Sequence, residues 1–176
     1  INTNITVNNI CNDLISGKVI GLVAGRMEFG PRALCNRSII YSANDETCNN
    51  WLNNRLNRSE FMPFAPVTIP ELSKLSFKNL KSHDETLKYM TSTIDCTKLF
   101  LKRSSATVHV DGTARPQIIT KKENQLIYQL IKKWNILTGE LSLINTSFNT
   151  HEEPIVFSIN DAILELKKSK VDVVYT

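Results

Sequence analysis

The arginines at residues 25–38 are the side chains of this chain best suited to bind an anion. The segment, GRMEFGPRALCNRS, brings Arg26, Arg32 and Arg37 close together in the sequence. Neighbouring guanidinium groups repel one another unless an anion lies between them, and each can bind a phosphate through two parallel hydrogen bonds. Gly30-Pro31 predicts a turn, and the proline suits the first position of a short helix whose free N–H groups attract anions. The segment therefore predicts an anion-binding loop.

A carboxylate in the same segment leaves two interpretations open. Glu28 is placed to orient one of the arginines through an ion pair. In the alternative interpretation, Arg26 and Arg32 only form surface ion pairs with Glu28 and Glu60, as most exposed charges do.

Two further arginines precede a segment rich in phenylalanine and proline. Arg55 and Arg58 are three residues apart, so a helix would carry both on one face. The sequence RSEFMPFAP follows at residues 58–66, and its apolar side chains would pack or line a pocket. A helix end followed by an apolar edge strand accounts for the phenylalanines and prolines but not for the arginines.

Two more polar clusters follow apolar strands. HVDGTARPQ, residues 109–117, carries a predicted strand into a turn with His, Asp, Thr, Arg and Gln side chains, although a plain hairpin also fits the Asp-Gly pair. NTSFN, residues 145–149, supplies short hydrogen-bonding side chains that suit a phosphate or a carbonyl group. The alternative for this second cluster is a turn closed by its own side chains.

The predicted elements place these clusters at strand ends. Helices are predicted at 7–15, closed by Gly17, at 44–57, at 123–137, ended by Gly139, and after Ser158, which forms a capping box with Asp161. Strands are predicted at 18–24, 38–41, 64–69 (near an edge because of Pro63 and Pro66), 87–94, 106–110, 141–144 and 171–175, with a polar surface excursion at 71–86. The fold class is therefore α/β or α+β with a mixed twisted sheet. Sites on such sheets are commonly built at the strand ends, so the four clusters fit one cleft.

Composition narrows the function classes. The chain has 176 residues, 41% of them hydrophobic, and a net charge of +4, which is too mild to argue for nucleic acid by itself. We expect a single domain without a membrane span or a signal peptide. The four scattered cysteines predict a reduced, cytoplasmic protein without a zinc site. No protease triad, dinucleotide fingerprint, P-loop or metal-binding motif is found, so the sequence favours polyanion binding over proteolysis or redox chemistry.

The order of the motifs resembles one known family. GRMEFGPRAL-x-NRS, R-x-EFMPFAP, HVDGTARPQ, NTSFN-x-x-x-EPIV and DAI resemble the C-terminal domain of the NodU/CmcH family of O-carbamoyltransferases, over about residues 7–175. The resemblance implies the nucleotide-binding fold of YrdC/Sua5. It also implies that a separate N-terminal Kae1-like domain belongs to the full-length enzyme and is absent from this chain.

The resemblance further implies a reaction in two steps. The YrdC-like domain would convert ATP, with Mg²⁺ bound through its phosphates, and carbamoyl phosphate into carbamoyladenylate. The Kae1-like domain would then move the carbamoyl group to a hydroxyl of a small molecule. Neither nucleic acid nor a membrane is expected as a partner.

Site residues are carried over by position in the motifs. Arg32 and Arg37 would grip phosphates, while Arg115 and Ser147 would hold carbamoyl phosphate or the adenylate. The other substrate- or nucleotide-binding candidates are Arg26, Arg55, Asn57, Arg58, Thr113, Asn145 and Asn149.

Two departures from the family pattern leave alternatives open. The family usually has glycine at Cys35, where a side chain would crowd a loop with positive φ. It often has a lysine near Asn57, so Arg55 or Arg58 would have to supply that charge. The alternatives are a YrdC-like module that binds phosphate without its own chemistry, or one that binds RNA.

Overall fold

The computed structural model describes residues 1–58, 63–80 and 85–176, which form two compact units. The first unit comprises Ile1–Tyr41, Thr47–Met62 and Asn145–Thr176. The second comprises Ser42–Glu46 and Pro63–Ile144. The clusters at 25–38 and 145–149 fall in the first unit, together with Arg55 and Arg58, whereas residues 63–66 and the cluster at 109–117 fall in the second.

Capping signals in the sequence agree with several helix ends within the described residues, although two of the helices begin without a side-chain cap. They are α1 Val7–Ile15, α2 Cys48–Arg55, α3 Pro70–Ser76, α4 Lys98–Arg103, α5 Gln125–Thr138 and α6 Ile159–Lys167, with short 3₁₀ turns at Glu85–Lys88 and Ser105–Thr107. Gly139, with φ of 75°, ends α5 in the left-handed conformation. Ser158 and Asp161 form the predicted capping box at the start of α6.

The strands form a mixed six-stranded sheet and a separate pair. They are β1 Ile20–Val23, β2 Arg37–Ser42, β3 Ala65–Thr68, β4 Ile94–Asp95, β5 Thr113–Ala114, β6 Gln117–Ile118, β7 Leu143–Ser147 and β8 Val173–Tyr175. The order in the larger sheet is β6-β3-β7-β2-β1-β8, and β4 pairs with β5. β1 is antiparallel to β2 and parallel to β8, while β3 is parallel to β6.

Packing in the first unit fixes both the start of β2 and the end of β7. Val23 lies opposite Arg37 in the β1–β2 register, so the arginine segment connects these two paired strands. Gly21 of β1 lies against the ring of Phe148, and a Cβ at this glycine would overlap that ring. This close approach explains why a glycine stands inside a fully buried strand.

Several predicted elements are wrong, mostly in the second unit. Residues 71–76 belong to α3, not to a surface excursion, because Pro70 starts a helix that buries Leu72 and Ser76. Of the predicted strand at 87–94, only Ile94 lies in a strand, β4, and the rest is the end of a 3₁₀ helix, a turn and irregular chain. Its buried side chains, Leu87 and Met90, are three residues apart, which is not strand alternation. Residues 81–84 lie outside the described part of the chain.

Two further outcomes concern residues 106–110 and the strand that contains Pro66. The predicted strand at 106–110 begins with a 3₁₀ turn, because the Thr107 hydroxyl donates to the Ser104 carbonyl at 2.8 Å and stabilises a turn. The strand containing Pro66, β3, lies next to the edge strand β6, so the prediction of a position near an edge is confirmed. β6 pairs only with Val67 and Thr68, so the missing N–H of Pro66 precedes the pairing.

Candidate functional site

The end of β7 brings together two predicted site residues of the first unit. Arg58 Nη1 donates to Thr146 Oγ1 at 2.7 Å, and Nη2 donates to both the carbonyl and the hydroxyl of Ser147 at 3.2 Å. Arg58 lies beyond the last residue of α2, and Thr146 and Ser147 are the last two residues of β7. A cation from one motif and short hydroxyls from another therefore form one cluster, which we call the Arg58 cluster.

Burial changes the electrostatics of Arg58. Loss of water around the guanidinium lowers its pKa below the ordinary value for arginine, although the group remains a cation at neutral pH. The Thr146 and Ser147 oxygens replace part of the lost hydration with hydrogen bonds. A phosphate at this cluster would add negative charge beside a cation in a medium of lower dielectric, where charge–charge attraction is stronger than in water.

The other polar residues of 145–149 contact backbone groups. Asn145, which is buried, donates from Nδ2 to the Ala33 carbonyl at 2.9 Å and so ties the arginine segment to β7. Asn149 donates from Nδ2 to the Glu153 carbonyl at 2.6 Å. These contacts shape the segments around the Arg58 cluster. Thr146 was not among the candidates that the motif resemblance implied, although it lies within the polar run that the sequence singles out.

Arg37 is the buried arginine of the first segment. Its Nε donates to the Phe157 carbonyl at 3.1 Å. Nη1 donates to the carbonyls of Ala24 and Gly25 at 3.3 Å and of Asn36 at 2.9 Å, and Nη2 also donates to Gly25. These carbonyls belong to both ends of the arginine segment and to the chain just before α6. Arg37 therefore joins three backbone segments of the first unit.

Glu28 organises backbone groups and does not orient an arginine side chain. Its Oε1 accepts hydrogen bonds from the N–H groups of Leu34, Asn36 and Arg37, at 2.9 Å in the case of Asn36. No helix begins at Pro31; residues 24–36 form an irregular loop, so the predicted helix N-terminus is wrong. The N–H groups that a helix would have offered to an anion are bound in part by this carboxylate.

Arg26 and Arg32 are exposed on that loop. Within the described residues, no ion pair joins either of them to Glu28, so that part of the alternative interpretation is wrong. Glu60 lies outside the described residues. Both side chains belong to the loop at residues 24–36. Hydrogen bonds with Glu28 and Arg37 hold the backbone of this loop.

Arg55 has a different neighbourhood from Arg58. Its Nη1 and Nη2 donate to the two carboxylate oxygens of Asp172 at 3.0 and 2.7 Å, and its Nε donates to the Ser169 carbonyl at 2.7 Å. Because α2 ends at Arg55, the two arginines do not share a helical face as predicted. The bidentate ion pair fastens the end of α2 to the chain before β8.

The HVDGTARPQ segment of the second unit forms a tight turn, as its Asp-Gly pair predicts. Gly112 has φ of 79°, and its N–H donates to the His109 carbonyl at 2.9 Å. Thr113 opens β5 and bonds to both His109 and Asp111 through its side chain. Arg115 follows β5 and is partly buried, with interactions of its own.

Comparison with known proteins places this arrangement in a family. Residues 11–176 match the family described as Carbamoyltransferase C-terminus. The chain belongs to this family. The prediction made from the motifs is thereby confirmed.

Two relatives illustrate the membership. Nodulation protein NolNO of Sinorhizobium fredii is 36% identical over 92% of this chain and 25% of its own length. The 3'-hydroxymethylcephem-O-carbamoyltransferase of Amycolatopsis lactamdurans is 31% identical over 86% of this chain and 28% of its own length. The chain spans about a quarter to a third of the curated relatives it matches.

Solved structures agree on the fold. Full-length HypF, crystallised in a phosphate- and nucleotide-bound form, is similar with a TM-score of 0.69 at 19% identity, over 96% of this chain and 24% of HypF. A variant of Sua5 from P. abyssi is similar with a TM-score of 0.64 at 11% identity, over 96% of this chain and 48% of that one. The predicted α/β fold of the YrdC/Sua5 kind is therefore confirmed.

Both departures from the carbamoyltransferase pattern lie at residues with positive φ. Cys35 has φ of 75° and is fully buried, so the chain places a side chain where the family usually has glycine. Burial raises the pKa of this thiol well above its ordinary value, which keeps it neutral. Asn57 has φ of 57° just beyond α2, a conformation that asparagine tolerates better than lysine.

The described residues of this carbamoyltransferase-family chain contain neither a cluster of metal ligands nor a membrane-spanning helix. No group of three or more His, Cys, Asp or Glu side chains that could hold a metal ion is found there. None of the helices in these parts of the chain is both long enough and apolar enough to cross a membrane.

Proposed function

We propose that this chain is the domain of a carbamoyltransferase that binds ATP and carbamoyl phosphate and forms carbamoyladenylate. A separate N-terminal Kae1-like domain would transfer the carbamoyl group from the adenylate to a hydroxyl of a small molecule. The protein would act in the cytoplasm, consistent with four cysteines that are all buried thiols.

Family membership supports this proposal at its coarser level. One relative is named for O-carbamoyl transfer to a hydroxymethylcephem, which is a small molecule with a hydroxyl group. HypF, which shares the fold, has been crystallised with phosphate and a nucleotide. Both substrates that we propose for this chain carry phosphate, and one of them is a nucleotide.

The observation that carries the proposal is the Arg58 cluster. A partly buried guanidinium, held by the hydroxyls of Thr146 and Ser147 at a strand end, is suited to bind a phosphate group. Ser147 would place its short side chain against carbamoyl phosphate or the adenylate. Arg26 and Arg32, exposed on the adjoining loop, would contribute further positive charge to the phosphates.

The remaining candidates divide by their contacts. Arg115 would contact carbamoyl phosphate or the adenylate from the HVDGTARPQ turn. Arg37 and Asn145 would act as positioning residues, because their donor groups are bound to backbone carbonyls. Arg55, Asn57 and Asn149 would hold the surrounding backbone, through an ion pair, a left-handed helix end and a turn respectively.

The proposed reaction balances as follows. A bond forms between the carbamate oxygen and the α-phosphorus of ATP, and pyrophosphate leaves. Carbamoyl phosphate loses inorganic phosphate, and one water molecule is consumed. Arginines would neutralise the charge of the two anionic substrates and of the departing groups. Mg²⁺ would arrive with ATP and be bound through phosphate oxygens.

The test is release of AMP and pyrophosphate from ATP, with and without carbamoyl phosphate. We expect release that requires carbamoyl phosphate and is lost in Arg58→Ala. Arg103→Ala is the matched control, because it removes an exposed arginine from α4, outside the proposed site. Release at the wild-type rate in Arg58→Ala would contradict the assigned role of the Arg58 cluster.

A module without its own chemistry is the second candidate, favoured by the strained Cys35 in the arginine loop. This candidate predicts that ATP binds, as measured by calorimetry, but that no pyrophosphate is released. Absence of binding by either substrate would overturn the proposal altogether. Binding of duplex RNA with steep salt dependence would support the RNA-binding alternative instead.

A further inference from the structure

The HVDGTARPQ turn holds a histidine in a closed set of hydrogen bonds. The His109 N–H donates to the Thr113 carbonyl at 2.7 Å, and the Gly112 N–H donates back to the His109 carbonyl at 2.9 Å. The Thr113 N–H donates to Asp111 Oδ1 at 2.9 Å. The backbone of the turn is therefore held at both ends, and the His109 side chain has a fixed point of attachment.

The side-chain hydrogen bonds of the turn have a defined direction. Thr113 Oγ1 lies 2.7 Å from Asp111 Oδ1 and 2.9 Å from His109 Nδ1. Hydrogen bonds from the side chain and backbone of Thr113 hold the pKa of Asp111 below its ordinary value of 3.8, so this carboxylate is ionised at neutral pH and can only accept. The Thr113 hydroxyl must donate its proton to Asp111. It can then only accept from His109, which places a proton on Nδ1.

This direction determines what the other ring nitrogen can do. In a neutral imidazole with its proton on Nδ1, Nε2 carries a lone pair and is an acceptor. Among residues 1–58, 63–80 and 85–176, no hydrogen-bond partner is found for Nε2 of His109. The ring is partly buried and so retains access to a ligand.

The same turn carries a predicted substrate arginine. Ala114 of β5 is buried, and Thr113 and Arg115 flank it in the sequence. Residues two apart along extended backbone project to the same side, so we expect Arg115 and the His109–Thr113 pair to share one face. That face would offer a cation for phosphate together with a neutral nitrogen acceptor.

We propose that His109 Nε2 accepts a hydrogen bond from an N–H or O–H group of the phosphate-bearing ligand that Arg115 binds, with Thr113 and Asp111 as positioning residues. This inference rests on the proposed function. Carbamoyl phosphate has its amino group beside its phosphate, whereas ATP has ribose hydroxyls and the adenine amino group. The role of Thr113 changes accordingly, because its hydroxyl is already engaged with Asp111 and His109 and is not a direct ligand.

The experiment reads the tautomer of His109 by ¹⁵N NMR of the imidazole nitrogens in the whole 176-residue chain. His109→Gln assigns the resonance among the three histidines. We expect the Nδ1–H tautomer in the wild type and in Thr113→Ser, and its loss in Thr113→Val, which lacks the hydroxyl. A solvated histidine favours the Nε2–H tautomer, so a residue that only fills space would not give this pattern.

Ligand contact is then tested with carbamoyl phosphate and ATP in separate titrations. We expect carbamoyl phosphate to shift the His109 Nε2 resonance, and His109→Gln to bind it about three- to tenfold more weakly by calorimetry. A shift with ATP alone would assign the contact to the nucleotide. The rest of each spectrum reports whether a variant is folded.

Two outcomes separate failure of this inference from failure of the proposed function. If the wild type binds carbamoyl phosphate or ATP while Nε2 does not respond and His109→Gln binds equally well, the inference is overturned and the function stands. If the wild type binds neither compound, both the proposed function and the ligand role of His109 are overturned. An Nε2–H tautomer in the free protein would overturn the inference directly.

Discussion

Arg37, which is buried, and Arg58, which is partly buried, belong to one unit but have different hydrogen-bond partners. Arg37 is 8% exposed and donates to carbonyls of Ala24, Gly25, Asn36 and Phe157. Arg58 donates to the hydroxyls of Thr146 and Ser147 and to one carbonyl. Carbonyls of the backbone are fixed in position, whereas hydroxyls can rotate to meet an incoming group. The two arginines therefore suit different tasks, although their residue type and motif context predict the same one.

The difference shows what a guanidinium contributes in each place. Around Arg37, a planar group with donors on three sides joins its own strand start to the chain at Ala24 and Gly25 and to the distant Phe157. The guanidinium of Arg58 instead places its charge at the end of β7, where its partners include the hydroxyls of Thr146 and Ser147. We infer that Arg37 contributes mainly to stability and that Arg58 contributes mainly to ligand binding.

The largest expected effect is the loss of stability that follows replacement of Arg37, and it tests whether this arginine is structural. Arg37→Ala removes a buried guanidinium and leaves the carbonyls of Ala24, Gly25 and Phe157, whose hydrogen bonds to Arg37 are partly buried, without these donors. A polar group that loses its partner while fully buried costs about 1–3 kcal/mol, and these partly exposed carbonyls regain some hydration, so we expect the free energy of unfolding to fall by roughly 2–3 kcal/mol in all. Urea unfolding followed by circular dichroism measures this change.

Arg37→Lys is the matched variant for this prediction. Lysine keeps the charge but carries its donors at one point, so it cannot reach carbonyls on three sides, and we expect an intermediate loss of stability. An Arg37→Ala protein as stable as the wild type but unable to bind ATP would instead make Arg37 a direct phosphate ligand. That outcome would remove the distinction between the two arginines.

The second prediction is a loss of ligand affinity on replacement of Arg58, and it tests whether this arginine binds phosphate. Arg58→Ala removes a hydrogen-bonded charge from the proposed phosphate site, and such hydrogen bonds contribute about 1.5–3 kcal/mol, or roughly a 10- to 150-fold change in affinity. We expect that loss for ATP or carbamoyl phosphate in calorimetry, with a smaller decrease in the free energy of unfolding than in Arg37→Ala. Unchanged affinity with a large loss of stability would show that both arginines are structural. Arg103→Ala controls for the loss of one positive charge.

The sequence predicted where the arginines and their motifs lie but not which atoms they meet. Local signals sufficed for the capping box of Ser158 and the glycine that ends α5, because their partners are a few residues away. The partner of Arg37 Nε is the carbonyl of Phe157, 120 residues further along the chain. Arg58 meets Thr146 across 88 residues. Such contacts depend on the tertiary fold, and neither residue type nor motif spacing distinguishes a carbonyl partner from a hydroxyl.

Other parts of the fold were mispredicted because short segments carry weak periodicity. Leu87 and Met90 are buried three residues apart, and a strand prediction from apolar content missed that spacing. The role of Glu28 was likewise missed, because a carboxylate between arginines suggests an ion pair, while the loop backbone offers it several N–H donors. Thr146 and His109 each stood inside a motif that the sequence singled out, but their partners required the folded chain.

The smallest expected effect concerns Arg55, the arginine paired with a carboxylate. Burial by itself raises the pKa of Asp172, but the hydrogen bonds from Arg55 and from the Val19 N–H outweigh it, so the pKa lies below its ordinary value of 3.8. A carboxylate whose pKa is lower in the folded than in the unfolded chain stabilises the fold above the unfolded pKa. That stabilisation is lost as the pH falls through the folded pKa, because the unfolded chain then binds more protons.

Asp172→Asn tests this prediction. The ion pair is partly exposed, with 23% and 38% of the Arg55 and Asp172 side chains accessible, so we expect a loss of less than about 1 kcal/mol at pH 7. The difference between wild type and variant should vanish as the pH falls below about 3.8 and should shrink in high salt. Asp95→Asn, at an exposed carboxylate of β4, is the matched control. A difference that persists at low pH would mean that Asp172 acts through hydrogen bonds that asparagine cannot form, and not through the charge of its ion pair with Arg55.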